Sequence, residues 1–321
     1  GCLMSQFAAL LFLAFFLKLF AVGLGSRLLL RRYPDLLGSL LGAWLLSECF
    51  FILWMLILSS FHGLTSLSIW AGLVFLNLSL LVLVVREKEP LRLSLSDYKL
   101  VSSSPGLIAL LGAAGVFIAL AYRSLYYFDN TWDAITYGLT RIEFYAHYQS
   151  LFIVQPTRAF NIFSNEWNGE LNALFYLLAT AKDQAVSFAN VEIWLVSFVG
   201  YSWLSGLFKL PVRLRLAAGL LLSTTPVLLG LTMTVKGDLL AIISFAIALG
   251  FTLRALGLEK TQANPLDFIF AITSLGLANG AKIIVLPYVG LVVVLLILVS
   301  FLDQERRIKV SLILSSFALF A

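Results

Sequence analysis

"LGSLLGAWLLSECFFILWMLILSS", residues 37–60, carries one charged side chain, Glu48. A helix needs about 20 predominantly apolar residues to cross a bilayer, and this stretch exceeds that. Working outward, runs of the same kind occupy 3–24, 66–85, 105–122, 184–207, 214–233, 238–256, 265–281 and 283–302, and another begins near 309. The pattern predicts an all-α polytopic membrane protein of about nine to ten transmembrane helices. The last run is cut off at residue 321, which predicts that the natural chain continues.

Composition agrees with that class. The chain is 60% hydrophobic and 12% charged, against about 25% charged for soluble domains. The net charge of +5 therefore reports on loop topology rather than on nucleic acid. Cys2 and Cys49 are too few for a disulfide framework, and Cys49, inside an apolar run, reads as a small buried hydrophobe. Gly1-Cys2 could mark lipoprotein processing, but residues that would establish it are absent. Residues 3–24 read as a retained span, not a cleaved signal.

Of the 22 Lys and Arg residues, fifteen follow odd-numbered spans, six follow even-numbered ones and Lys18 lies within the first. By the positive-inside rule the connections after odd-numbered spans are cytoplasmic. The N-terminus and the long connection 123–183 then face outward, and the outward N-terminus suggests that a span precedes residue 1.

A connection of that length is usually functional or disordered, and its many aromatic residues favour folding onto the membrane surface. Ile135, Leu139, Ile142 and Tyr145 recur at a helical period. "GELNALFYLLATA", residues 169–181, reads as a second short amphipathic helix, and "QPTRAFNIFSNEWN", residues 155–168, as the irregular piece between them. Within "DNTWDAITYGLTRI", residues 129–142, Asp133, Tyr137 and Arg141 would share one helical face. Asp129 or Thr131 could cap that helix. Alternatively, a carboxylate held at the membrane surface is a candidate general base or metal ligand.

The outer connections also collect Arg158, Glu166, Glu170, Lys236, Asp238 and Lys282. Cations beside carboxylates at a bilayer surface suit a phosphate-bearing lipid substrate, although short loops are polar in any case. His62 and His147 are the only histidines, so zinc is not expected. An oxygen-ligand Mg²⁺ or Mn²⁺ site, with Asp133 as a candidate ligand, stays open. No phosphate-binding glycine motif is present, so no nucleotide is expected. Lys18, Glu48 and Glu192 inside spans read as interhelical hydrogen bonding, snorkelling or a polar pathway. "GSLLG", residues 38–42, fits a close helix contact.

"WDAITYGLTRIEFYAHYQSLFIVQPTRAFN", residues 132–161, followed by "GEL" at 169–171, resembles the first outer loop of GT-C-fold membrane glycosyltransferases. The likeness is to the bacterial group related to protein mannosyltransferases and aminoarabinose transferases, and it covers about residues 105–309. Asp133 falls on the family's acidic position. Tyr137, Leu139 and Arg141 fall on its Tyr-His-Leu-Pro-Arg, Arg158 on its later Arg and Glu170 on its Glu. "STTPVLLGLTMTVKGDLLA", residues 223–241, looks like the Ser-x-x-Pro segment leading to an Asp at Asp238. "GLANGAKIIVLP", residues 276–287, looks like a segment ending in Lys282. Gly138 and Thr140 replace the family's His and Pro, Ala159 replaces a Gln, and the Pro-Pro before the Glu is missing.

The resemblance implies two parts: three leading spans, 1–104, and a GT-C-like core, 105–321, truncated at its C-terminus. It implies a cell-envelope enzyme of the bacterial inner membrane. A sugar would move from a polyprenyl-phosphate donor to a hydroxyl or amine acceptor at the outer face. Asp133, with Asp129 beside it, would be catalytic, with a divalent cation as a candidate cofactor. Tyr137, Arg141, Arg158, Glu170, Lys236, Asp238 and Lys282 would bind substrate. The altered positions also admit a catalytically lapsed subunit of a larger membrane complex. A transporter is a third reading, but transporters gather polar residues at the bilayer midplane and here they gather at one face.

Overall fold

The computed structural model describes residues 2–33, 35–87, 95–127, 139–152, 168–256, 264–288, 290 and 292. All regular structure among them is helical. The spanning-length helices are α1 (Cys2–Leu29), α2 (Leu36–Ser59), α3 (Ser66–Arg86), α5 (Ser104–Tyr126), α8 (Phe188–Leu207) and α11 (Asp238–Ala255). Shorter ones are α4 (Leu95–Ser102), α6 (Leu139–Tyr148), α7 (Asn168–Thr180), α9 (Arg215–Ser223), α10 (Pro226–Thr232) and α12 (Pro265–Ala281).

Helix starts follow local chemistry. The Asp35 carboxylate accepts from the Gly38 amide at 3.2 Å and opens α2. Thr65 and Ser68 form a reciprocal capping box at the head of α3. Asn264 and Asp267 do the same for α12, with Pro265 in its first turn. Each device satisfies amides that the helix cannot bond internally.

Six of these helices, one of them extended to Asp183–Leu207 by a 3-10 turn, are long and apolar enough to cross a membrane. The chain is a multi-pass integral membrane protein. The expected count of nine to ten is not reached among the described residues. The run expected at 214–233 is broken: α9 and α10 meet at 65° and make a seventh span only if counted together. Pro226 has no amide hydrogen and disfavours a helical residue before it, so the chain turns at Thr224–Thr225. The 17-residue α12 is shorter than the six spanning-length helices. The expected run from 309 lies outside the described residues, as does most of 283–302.

Burial separates centre from rim. Asp183–Leu207 is 83% buried over its apolar window, whereas α3 and α5 are each 28% buried. The central α8 packs against α2, α5, α9 and α11, and α11 pairs with α12. Packing crosses the expected boundary at residue 104: α1 touches α7, α2 touches α8 and α12, and one apolar core takes residues from both sides. The close contact expected at "GSLLG" is present, because a Cβ on Gly42 would sit 2.5 Å from the Phe270 ring of α12. Cys49 is half-buried with a free thiol, not buried as the sequence suggested.

Candidate functional site

Three sequence-distant segments meet at the end of the bundle that bears α6. A Cβ on Gly169 would lie 2.5 Å from the Gly237 Cα, and one on Gly237 would lie 2.9 Å from the Ala281 carbonyl oxygen. Glycine at both positions lets the backbones touch. The next residue of each segment carries charge: Glu170 in the first turn of α7, Asp238 at the start of α11 and Lys282 just after α12. Lys282 Nζ stands 3.3 Å from Asp238 Oδ1, with both side chains about a third exposed.

Arg141 joins from α6. It forms an ion pair with Glu170, and both residues are more than nine-tenths buried. The Arg141 Nε and Nη1 atoms have no hydrogen-bond partner among the described residues. Leu139, Ile142 and Tyr145 lie on the same buried face of α6, as the helical period predicted. Burial, helped by the Glu170 carboxylate, pushes the Tyr145 phenol up to about 12.

Asn190 of α8 was not anticipated from the sequence. Its side-chain amide faces the carbonyls of Leu231, Thr234 and Lys236, holding the turn that delivers Asp238. One helical turn later, Trp194 donates to the Ser223 carbonyl at 3.0 Å. Trp194 thus satisfies a carbonyl freed at the α9–α10 break and Asn190 carbonyls freed between α10 and α11, as broken helices in a membrane require. A signal existed: two hydrogen-bonding side chains four apart in one apolar run, with a Thr-Thr-Pro break in the next.

Of the residues predicted for the site, Arg141, Glu170, Lys236, Asp238 and Lys282 are brought to this end. Asp129, Asp133, Tyr137, Arg158 and Glu166 lie outside the described residues. The expected surface helix at 169–181 is corrected: every residue of α7 from Glu170 to Thr180 is buried. It lies against α1, α3, α11 and α12, and Trp70 of α3 donates to the Ala179 carbonyl at 3.1 Å.

A second charged cluster sits deeper. Lys18 Nζ lies 2.8 Å from Glu48 Oε1, 2.8 Å from Glu192 Oε1 and 3.0 Å from Asn172 Oδ1. The Tyr176 hydroxyl donates to Glu192 Oε2 at 2.8 Å, and the Phe175 ring centroid is 4.9 Å from Lys18 Nζ. At a rise of 1.5 Å per residue, Lys18 stands about 16 Å from the end of α1, near the middle of a bilayer core of about 30 Å. Interhelical bonding, rather than snorkelling, describes these residues. A cavity of about 300 Å³ adjoins them, walled otherwise by apolar side chains such as Trp44, Leu110 and Val199.

Among the described residues no three His, Cys, Asp or Glu side chains form a metal-binding group. Glu170 and Asp238 each already face a cation, and Asp133, the candidate ligand for a divalent ion, lies outside the described residues. No family model, curated protein or solved structure matches the chain.

Proposed function

We propose that the chain is a bacterial inner-membrane glycosyltransferase, with the α6 end facing outward, that takes sugars from a polyprenyl-phosphate donor. The supporting observation is the junction of Gly169, Gly237 and Ala281. It gathers Glu170, Asp238 and Lys282, which the resemblance marks from separate segments, with Arg141 paired to Glu170. In this reading Asp133, outside the described residues, removes the acceptor proton as the acceptor attacks the anomeric carbon. The bond from that carbon to the phosphate oxygen breaks, and the lipid phosphate leaves with both electrons. Lys282, Lys236 and the unpartnered, buried edge of the Arg141 guanidinium balance its charge, with Arg158 and Tyr137 completing the substrate contacts. The proposal contains no metal-dependent step.

The runner-up is a catalytically lapsed subunit. One observation favours it: the two site cations Arg141 and Lys282 are each matched by an internal carboxylate. The test is transfer from radiolabelled polyprenyl-phosphate sugars to endogenous acceptors in membranes containing the wild type or Asp133→Asn. Transfer that vanishes in the variant supports the enzyme. Absence of transfer from every donor, with the folded chain co-purifying with partner proteins, supports the subunit.

A further inference from the structure

At the opposite end, where α1 and α3 finish, lies a cavity of about 930 Å³. One wall is charged and the other apolar. Arg31 and Glu87 face each other across it at 2.6 Å. Arg32 and Arg86 also line it; both are exposed, and neither side chain has a hydrogen-bond or ion-pair partner among the described residues. The Asn264 amide donates to the Arg32 carbonyl at 2.7 Å and fixes that segment against the start of α12. The apolar wall includes Leu29 and Leu83, and Leu83, one turn before Arg86, is 51% exposed on the rim of the bundle.

Glu87 offsets one guanidinium, which leaves two positive charges unmatched among the described residues. They sit where the spanning helices α1 and α3 end, and headgroups flank the ends of spanning helices in a bilayer. Guanidinium groups bind phosphate through paired donors, and basic pockets at such ends take anionic headgroups. Free phosphate would leave the apolar wall unused. We propose that this cavity binds an anionic phospholipid, its phosphate between Arg32 and Arg86 and an acyl chain along Leu29 and Leu83.

The test uses the full chain in nanodiscs of phosphatidylcholine with a rising fraction of phosphatidylglycerol. Native mass spectrometry reads which lipid stays bound. The wild type should retain phosphatidylglycerol over phosphatidylcholine by roughly tenfold or more, and Arg32→Gln/Arg86→Gln should lose most of that preference. Arg27→Gln/Arg213→Gln, which removes equal charge outside the cavity, should keep it. Equal loss in both double variants, or in neither, overturns the proposal. Arg86→Lys keeps the charge and removes the forked geometry, so it should reduce the preference even if the double Gln variant fails to fold; an unchanged preference counts against the site. Displacement of the lipid by glycerol phosphate alone would overturn the role of the apolar wall.

Discussion

The deep cluster and the α6-end site use the same residue types to opposite effect. At depth, Lys18 is enclosed by two carboxylates, an amide oxygen and aromatic rings, all from helices. At the α6 end, Arg141 meets one carboxylate through one nitrogen, and the Lys282–Asp238 pair lies open to its surroundings at 3.3 Å. The deep cluster is supplied from α1, α2, α7 and α8, and fastens them together. The site is built from helix ends and glycine contacts, and keeps donors in reserve. In a low-dielectric interior, a cation between two carboxylates holds helices together strongly, although Glu48 Oε1, beyond its ion pair with Lys18, and the Asn172 amide nitrogen have no hydrogen-bond partner among the described residues.

The sharpest way to break that contrast is Lys18→Met. It strands Glu48 and Glu192 without their cation, and losing one partner of a buried pair costs about 3–5 kcal/mol. Thermal unfolding in detergent should show a large fall, with much of it restored in Lys18→Met/Glu48→Gln/Glu192→Gln. Unchanged stability in Lys18→Met would remove the fastening role.

Gly237→Ala comes next. Its Cβ would press on the Ala281 carbonyl and the Gly169 Cα, and overpacking of this kind costs about 1–3 kcal/mol. The same assay should show that fall, and a cross-link between cysteines placed at 238 and 282 should form more slowly.

Lys282→Ala should cost under about 1 kcal/mol, because its ion pair is partly exposed. It should nonetheless sharply reduce sugar transfer if the site holds a departing phosphate. A stability loss as large as that of Lys18→Met would erase the distinction between the two regions.

An effect confined to high pH concerns Tyr145, whose phenol is raised from about 10 when unfolded to about 12 when folded. A raised group contributes stability that is complete below the unfolded value and is lost as pH rises through the folded one. Alkaline unfolding of the wild type should therefore steepen between pH 10 and about 12 relative to Tyr145→Phe. Parallel curves would mean that the phenol is not held neutral by burial.

Much of the molecule was legible in its residues. The long spans could be read because a bilayer demands about 20 apolar residues in succession. The buried face of α6 followed from the period of Leu139, Ile142 and Tyr145, and a close helix contact at Gly42 followed from "GSLLG", though not that α12 is its partner. The break at Pro226 was hidden because hydropathy over 214–233 stays high through the Thr-Thr-Pro bend. The burial of α7 was hidden because what covers it comes from α1, α3, α11 and α12, far away in the chain.

Sequence alone determined the all-helical membrane class and which residue types stood at the segment ends, because hydropathy and glycine geometry act locally. Tertiary structure decided who meets whom. Lys18 reaches Glu48 across 30 positions and Glu192 across 174, and Arg141 reaches Glu170 across 29. No local period encodes such pairings. They arise because a buried charge lowers its free energy only beside an opposite one, and the packing of apolar helices determines which partner is within reach.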